Sequence, residues 1–342
     1  MAITTPGLFM DRGEVSKAPA VARSTHILAS AILAVVVLAL SLLAVQPASA
    51  QVTKITGVPF VIAASGQYQL AASLTSAVGG PAIDIQVSNV ELTLAGNTLT
   101  GPTGCSSPNA PFSIGIRVGA VANVHINGGT VGGGFTEGIR LLGTTASQVN
   151  GMLVTSNCIF GIRLIGADGN RFNTNVVRLT ENPPIHCAGY RLDNSHDNVI
   201  TSNEVVRNGE VGFDDTGIEL FNSHRNTIRS NTVANNIADG IQLFGDSDGN
   251  VVRSNTVTNN VGHGIQVGSG GNGNLIQGNT VTGSAGAGIR LDFGATGNTV
   301  KSNTSTGNAG ADMFDGNGPA CANTWISNTF GTTGGAGAGC IS

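Results

Sequence analysis

The sequence predicts an all-β chain wound as a solenoid of stacked coils, and three observations carry that expectation. A four-residue phrase led by glycine recurs eight times, asparagines recur at fixed places beside it, and 50 of the 342 residues are glycine while only 11% are charged. The phrase reads GIRV at Gly115, GIRL at Gly138 and Gly161, GYRL at Gly189, GIEL at Gly217, GIQL at Gly240, GIQV at Gly264 and GIRL at Gly288, with spacings of 23, 23, 28, 28, 23, 24 and 24 residues. A fixed period in this range marks repeats that bury their apolar faces only by stacking. The charge is too low for a disordered polyelectrolyte, and glycine lacks the triplet period of collagen. A formal net charge of -4 gives no electrostatic reason to expect nucleic acid as a partner.

Taken from the N-terminus, residues 1–50 read as an export signal. Ile27 to Val45 is apolar and uncharged, Arg23 and His26 precede it, and Pro47 followed by Ala48-Ser49-Ala50 resembles a cleavage site before Gln51. The run is also long enough to span a bilayer, so an uncleaved anchor is the competing reading. With cleavage, no stable membrane insertion is expected. All five cysteines follow Gln51, where an oxidising compartment permits bridges. The expected location is secreted, periplasmic or cell-surface.

Residues 51–81 are expected as an N-terminal cap, 82–311 as about nine coils, and 312–342 as a C-terminal cap. One repeat, Gly240 to His263, holds three short alternating apolar segments separated by Gly, Asn, Asp and Ser, which suits strands of three to five residues and not helices. Ile and Leu of each phrase point inward and the residue between them outward. Asn170, Asn198, Asn226, Asn250, Asn274 and Asn298 form one column, and Asn175, Asn203, Asn231, Asn255, Asn279 and Asn303 a second, five residues on. An asparagine amide bonds to the same amide one coil away and tolerates turn backbone, so both columns are read as structural. Cys321 and Cys340 are expected to bridge the C-terminal end, contributing about 3 kcal/mol. Cys158 and Cys187, close to the glycines of successive coils, are expected to form a second bridge, leaving Cys105 over.

These phrases, from about Ala82 to Gly310, resemble the right-handed parallel β-helix repeats of the pectin-lyase-like superfamily. The resemblance implies the fold. Its members include lyases, hydrolases, epimerases, adhesins and NosD-like copper-site maturation proteins, so it implies no single activity.

Function is sought on the outward stripe Arg117, Arg140, Arg163, Arg191, Glu219, Gln242, Gln266 and Arg290. Four successive guanidinium groups one coil apart repel by roughly 1 kcal/mol per neighbouring pair in water, so something offsets them. Solvent, stacking and turn carboxylates such as Glu137 are one offset; an anionic polysaccharide held by bidentate contacts is the other. Beside the stripe, Asp214, Asp215, Glu219, Asp239 and His263 are candidates for general acid–base work on a glycosidic bond. The Asp214–Asp215 pair before GIEL, and GHGI from Gly262 to Ile265, resemble elements of polygalacturonase-type glycosidases. In that family they occupy neighbouring coils; here the coil at Gly217 intervenes, and no Asn-Thr-Asp or Arg-Ile-Lys element accompanies them.

Two insertions lengthen the 28-residue coils and place Glu181, His186, Glu210, Phe213 and Asp214 as a wall beside Arg191 and Glu219. A further column, Asp168, His196, His224, Asp248, Asn272 and Thr296, offers His196, His224 and Asp248 as a metal set, although a straight column suits three ligands poorly. No cofactor is required by any motif. The sequence thus points to an exported protein that binds, and as an enzyme cleaves or modifies, an extracellular polysaccharide. A non-catalytic surface scaffold or adhesin is the alternative, and a NosD-like metal-maturation role a weaker third.

Overall fold

In the computed structural model, the described residues are 51–77, 79–102, 112–178, 187–209 and 215–342, so the apolar run at 27–45 lies outside them. Gln51–Ser342 form one compact unit. The described residues hold 33 strands, all parallel to their neighbours, and one three-residue 3-10 turn.

One sheet has twelve strands and carries the glycine-led phrases in register. Arg140 pairs with Arg117 and Arg163, Arg163 with Arg191, Arg191 with Glu219, Glu219 with Gln242, Gln242 with Gln266, and Gln266 with Arg290. Residues 23 to 28 apart in sequence are therefore vertical neighbours. The second sheet, of 21 strands, contains two ladders that join where Val124–Gly132 and Gln148–Thr155 run through both. Ile and Leu of each phrase meet the central apolar residues of these ladders, for example Ile218, Leu220, Ile228 and Val233, all fully buried. Each such side chain stabilises the stack by roughly 1.5–3 kcal/mol.

Glycine leads the phrase because the coils touch there. A Cβ on Gly240 would lie 2.6 Å from the Gly264 carbonyl oxygen and 2.6 Å from Val257 Cγ1. Any side chain would push two coils apart.

Both asparagine columns are ladders. In the first, Asn226 donates its backbone N–H to Asn250 Oδ1 at 2.8 Å and its amide to the same oxygen at 3.2 Å and to the Ser195 carbonyl at 2.9 Å. The second repeats this, Asn231 donating to Asn255 at 2.9 and 3.0 Å. A third ladder, Asn208, Asn236 and Asn260, lies five residues further on and was not anticipated. It is harder to see because Ser284 stands in its next place before Asn308 resumes it.

The winding continues into both segments expected as caps. Phe60–Ile62 pairs with Ile83–Ile85, Thr53–Ile55 with Tyr68–Leu70, and Met313–Asp315 with Ile289–Leu291. Strand repeats thus reach past the nine coils read from the glycine phrase, because these end segments keep the alternating apolar pattern without the phrase itself.

Cys321 and Cys340 form the expected disulfide. Cys158 and Cys187 do not bond to each other: Cys158 is in a disulfide, whereas Cys187 is a buried thiol whose Sγ lies 3.5 Å from the Cys158 carbonyl oxygen. Adjacency in the stack brought the pair close, but the Cys187 side chain meets that backbone oxygen and not a sulfur. Cys105 lies outside the described residues.

Candidate functional site

A groove of about 820 Å³ opens on the twelve-stranded sheet over the coils that carry Arg191, Glu219, Gln242 and Gln266. Asp239 and His263 line it together with that part of the stripe. One wall is Phe221 and Phe244, with ring centroids 5.4 Å apart; the other is built by Ile237, Ala238, Val261 and Gly262. Phe221 and Phe244 each follow the Leu of their phrase, so the strand that aims Glu219 or Gln242 outward also aims the ring two residues on. The apolar wall was missed by sequence reading, although GIELF and GIQLF spell it out.

The carboxylates here are held tightly. Glu219 is buried and pairs with Arg191 Nη1, and Arg191 Nε donates to Asp193 at 2.7 Å. Burial lowers the Arg191 pKa, but Glu219 and Asp193 outweigh it, so the guanidinium is held above its ordinary range. Its Cζ lies over the Phe221 ring, 5.1 Å from the ring centroid. Asp239 Oδ1 accepts the His263 backbone N–H at 2.5 Å. His263 Nδ1 in turn accepts the Ala287 N–H at 2.8 Å, so the ring proton is left on Nε2. Burial first, and Arg290 second, push the His263 pKa below the ordinary histidine value. His263 is therefore a neutral Nε2–H donor at pH 7, suited to donating a hydrogen bond and not to acting as a base through Nε2. Gln242 donates to Gln266 at 2.9 Å, and Gln266 to Asp292 at 2.7 Å.

Other expected site residues lie elsewhere. Asp215 is fully buried and accepts the Cys187 N–H at 2.9 Å; it is absent from the groove lining, because its place in the stack caps the neighbouring coil. Glu181, His186, Glu210, Phe213 and Asp214 lie outside the described residues.

The remaining stripe arginines are paired within the protein. Arg117 makes a bidentate pair with Asp84 at 2.6 and 2.7 Å, Arg140 and Arg163 share the buried Glu137, Arg163 reaches Asp193 at 2.9 Å, and Arg290 meets Asp292 at 2.5 Å. Burial raises the Asp84 pKa, yet the hydrogen bonds from Arg117 and Gln86 prevail and hold it below the usual carboxylate value. The offset for four stacked guanidinium groups is thus the protein's own carboxylates, of which only Glu137 was foreseen. Aromatic faces add to it: Arg140, Arg163 and Arg290 lie 4.6–4.8 Å from Phe112, Phe160 and Phe314. The protein's own carboxylates thus pair with the guanidinium groups that the sequence offers to a sugar carboxylate.

The histidine column is likewise a capping ladder. Asp168 Oδ1 accepts the His196 N–H at 2.6 Å, His196 Nδ1 that of His224 at 3.1 Å, His224 Nδ1 that of Asp248 at 3.2 Å, and Asp248 Oδ1 that of Asn272 at 2.7 Å. The two rings stack with centroids 4.8 Å apart. The Nδ1 lone pairs that His196 and His224 would offer a metal are given to backbone N–H groups, and Asp248 Oδ1 accepts one as well. Among the described residues no group of three His, Cys, Asp or Glu is placed to hold a metal ion.

Residues 138–305 and 215–341 match the family described as the right handed beta helix region. The chain belongs to this family. No curated protein matches the sequence. Solved structures share the β-helix fold at low identity. The A-module of Azotobacter vinelandii mannuronan C-5 epimerase aligns with TM-score 0.59 and 14% identity, covering 84% of this chain and 86% of that one. A periplasmic alginate epimerase gives 0.56 and 15%, covering 82% and 76%. The Dettilon tailspike protein gives 0.54 and 18%, covering 81% of this β-helix chain but 54% of its own. The chain thus spans about half the length of that tailspike. Neighbours of this β-helix include enzymes of alginate epimerisation, and at these identities the likeness is one of fold.

Proposed function

We propose that this β-helix protein is exported and binds an extracellular polysaccharide in the groove between the Phe221–Phe244 wall and the Asp239–His263 edge, and that it cleaves or modifies the bound sugar there. The observation that carries the reading is the convergence of hydrogen-bonding groups, two carboxylates and an aromatic pair in one open groove of about 820 Å³ on a rigid sheet. Sugars present an apolar CH face and a polar rim, which suit an aromatic wall facing amides and carboxylates. Export is supported by the apolar segment before Gln51 and by the Cys321–Cys340 bridge.

In this reading Phe221 and Phe244 stack on a sugar face, Gln242 and His263 Nε2 donate to hydroxyl groups, and Asp239 and Glu219 are the acid–base candidates. Both carboxylates already hold a partner, which favours a second reading in which the groove binds without turnover.

A turnover screen on pectin, polygalacturonate, alginate and neutral glycans, with Asp239→Asn and His263→Ala alongside wild type, separates the two. Product formation that falls at least tenfold in Asp239→Asn supports catalysis at this groove. Binding without product leaves a glycan-binding scaffold, and equal activity in both variants removes these residues from the chemistry.

A further inference from the structure

We infer that the groove selects uncharged sugars and discriminates against uronic acids, so that Glu219 and Asp239 act as specificity determinants. The inference rests on the glycan-binding reading above and names the substrate class for that site.

The argument is one of charge inventory. The sequence segments 78, 103–111, 179–186 and 210–214 contain no lysine or arginine, so every lysine and arginine after Gln51 is among the described residues. On the strands of the twelve-stranded sheet the cations are Arg117, Arg140, Arg163, Arg191 and Arg290, and each is paired with a carboxylate of the protein. The other cations in strands, such as Arg229, Arg253 and Lys301, lie on the second sheet. Among the described residues of the groove lining one guanidinium stands against two carboxylates, and the lining histidine is neutral at pH 7. Among the described residues, a sugar carboxylate entering this groove would therefore meet negative formal charge and no uncommitted lysine or arginine. To clamp a uronate through Nε and Nη1, Arg191 would have to leave Asp193 and Glu219, separating the buried Glu219 carboxylate from this guanidinium. The surfaces that remain for a ligand are the Phe244 ring, 48% exposed, and neutral amides, which recognise hydroxyl-bearing rings.

Matched ligands test this directly. Soluble β-glucan, mannan, galactan and fructan are titrated into the full chain, each beside the same polymer after oxidation of primary hydroxyls to carboxylates. The expected result is that at least one neutral polymer binds and its oxidised form binds about tenfold or more weakly, the gap widening at low ionic strength. Glu219→Gln and Asp239→Asn are expected to narrow the gap. An oxidised polymer binding as well as or better than its neutral form overturns the inference while leaving the groove a glycan site. Failure of every polymer, neutral or oxidised, removes the glycan-binding reading and the inference with it.

Discussion

Asp239 and His263, one coil apart, are linked through backbone: the carboxylate accepts the His263 N–H at 2.5 Å while the imidazole accepts the Ala287 N–H at 2.8 Å. Each candidate for chemistry is thus also a cap on the next coil. Structural and chemical roles must be separated before a variant is interpreted. Asp239→Asn keeps an oxygen for the His263 N–H and is expected to change stability by less than about 0.5 kcal/mol, whereas Asp239→Ala leaves that N–H unmet and costs about 1–3 kcal/mol. Chemical denaturation of both variants checks this, and Asn is the substitution to use in activity assays.

Stability should depend on the His263 charge. Its folded pKa lies below the ordinary value, so the unfolded chain binds this proton more readily than the folded one. The contribution is fully present above the unfolded pKa near 6.5 and is lost as pH falls through that value towards the folded one, with a slope of at most about 1.4 kcal/mol per pH unit. His263→Asn, which offers Oδ1 to the Ala287 N–H without titrating, is expected to flatten the stability profile just below pH 6.5. An unchanged profile would show that His263 titrates alike in both states.

The carboxylate beneath the stripe matters more than an exposed ion pair. Glu137 is buried and serves both Arg140 and Arg163, while Arg225 and Asp197 pair at 62% and 51% side-chain exposure. Glu137→Gln is expected to cost about 2 kcal/mol because Arg140 loses its carboxylate partner and Arg163 keeps only Asp193. Asp197→Asn should cost less than about 1 kcal/mol. Equal effects in denaturation experiments would contradict the ladder as the offset for arginine repulsion.

The third asparagine ladder can be completed. The Asn236 amide donates to Asn260 Oδ1 at 3.0 Å, but position 284 is a buried serine whose Oγ has no hydrogen-bond partner. Ser284→Asn is expected to stabilise the protein by about 1 kcal/mol by giving the Asn260 amide an acceptor, and Ser284→Ala to be close to neutral. Thermal denaturation of the two variants checks the ranking.

The stack was readable because its signals repeat: eight glycine phrases and two asparagine columns set the register that places Arg140 over Arg117 and Gln242 over Gln266. What surrounds the stripe was not. The position just after the phrase is Phe in two coils, yet Asp193 and Asp292 in others, so no periodic signal marks it as both aromatic wall and counter-ion. Asp84 precedes the first phrase altogether. Histidine and aspartate recurring in one column looked like ligands, because a sequence shows side chains in line but not the backbone N–H groups that claim them. Asp215 misled for the same reason, since its carboxylate turns to the Cys187 N–H.

The claim that the groove is a glycan site is tested most directly by titrating the neutral glycan panel into wild-type protein and into Phe244→Ala, a change at a ring half exposed to solvent and therefore tolerated by the fold. The account predicts that a glycan bound by wild type loses at least about tenfold in affinity when this ring is removed, in line with the loss of an aromatic stacking contact. Undiminished binding by Phe244→Ala would place the sugar elsewhere on the β-helix and contradict the account.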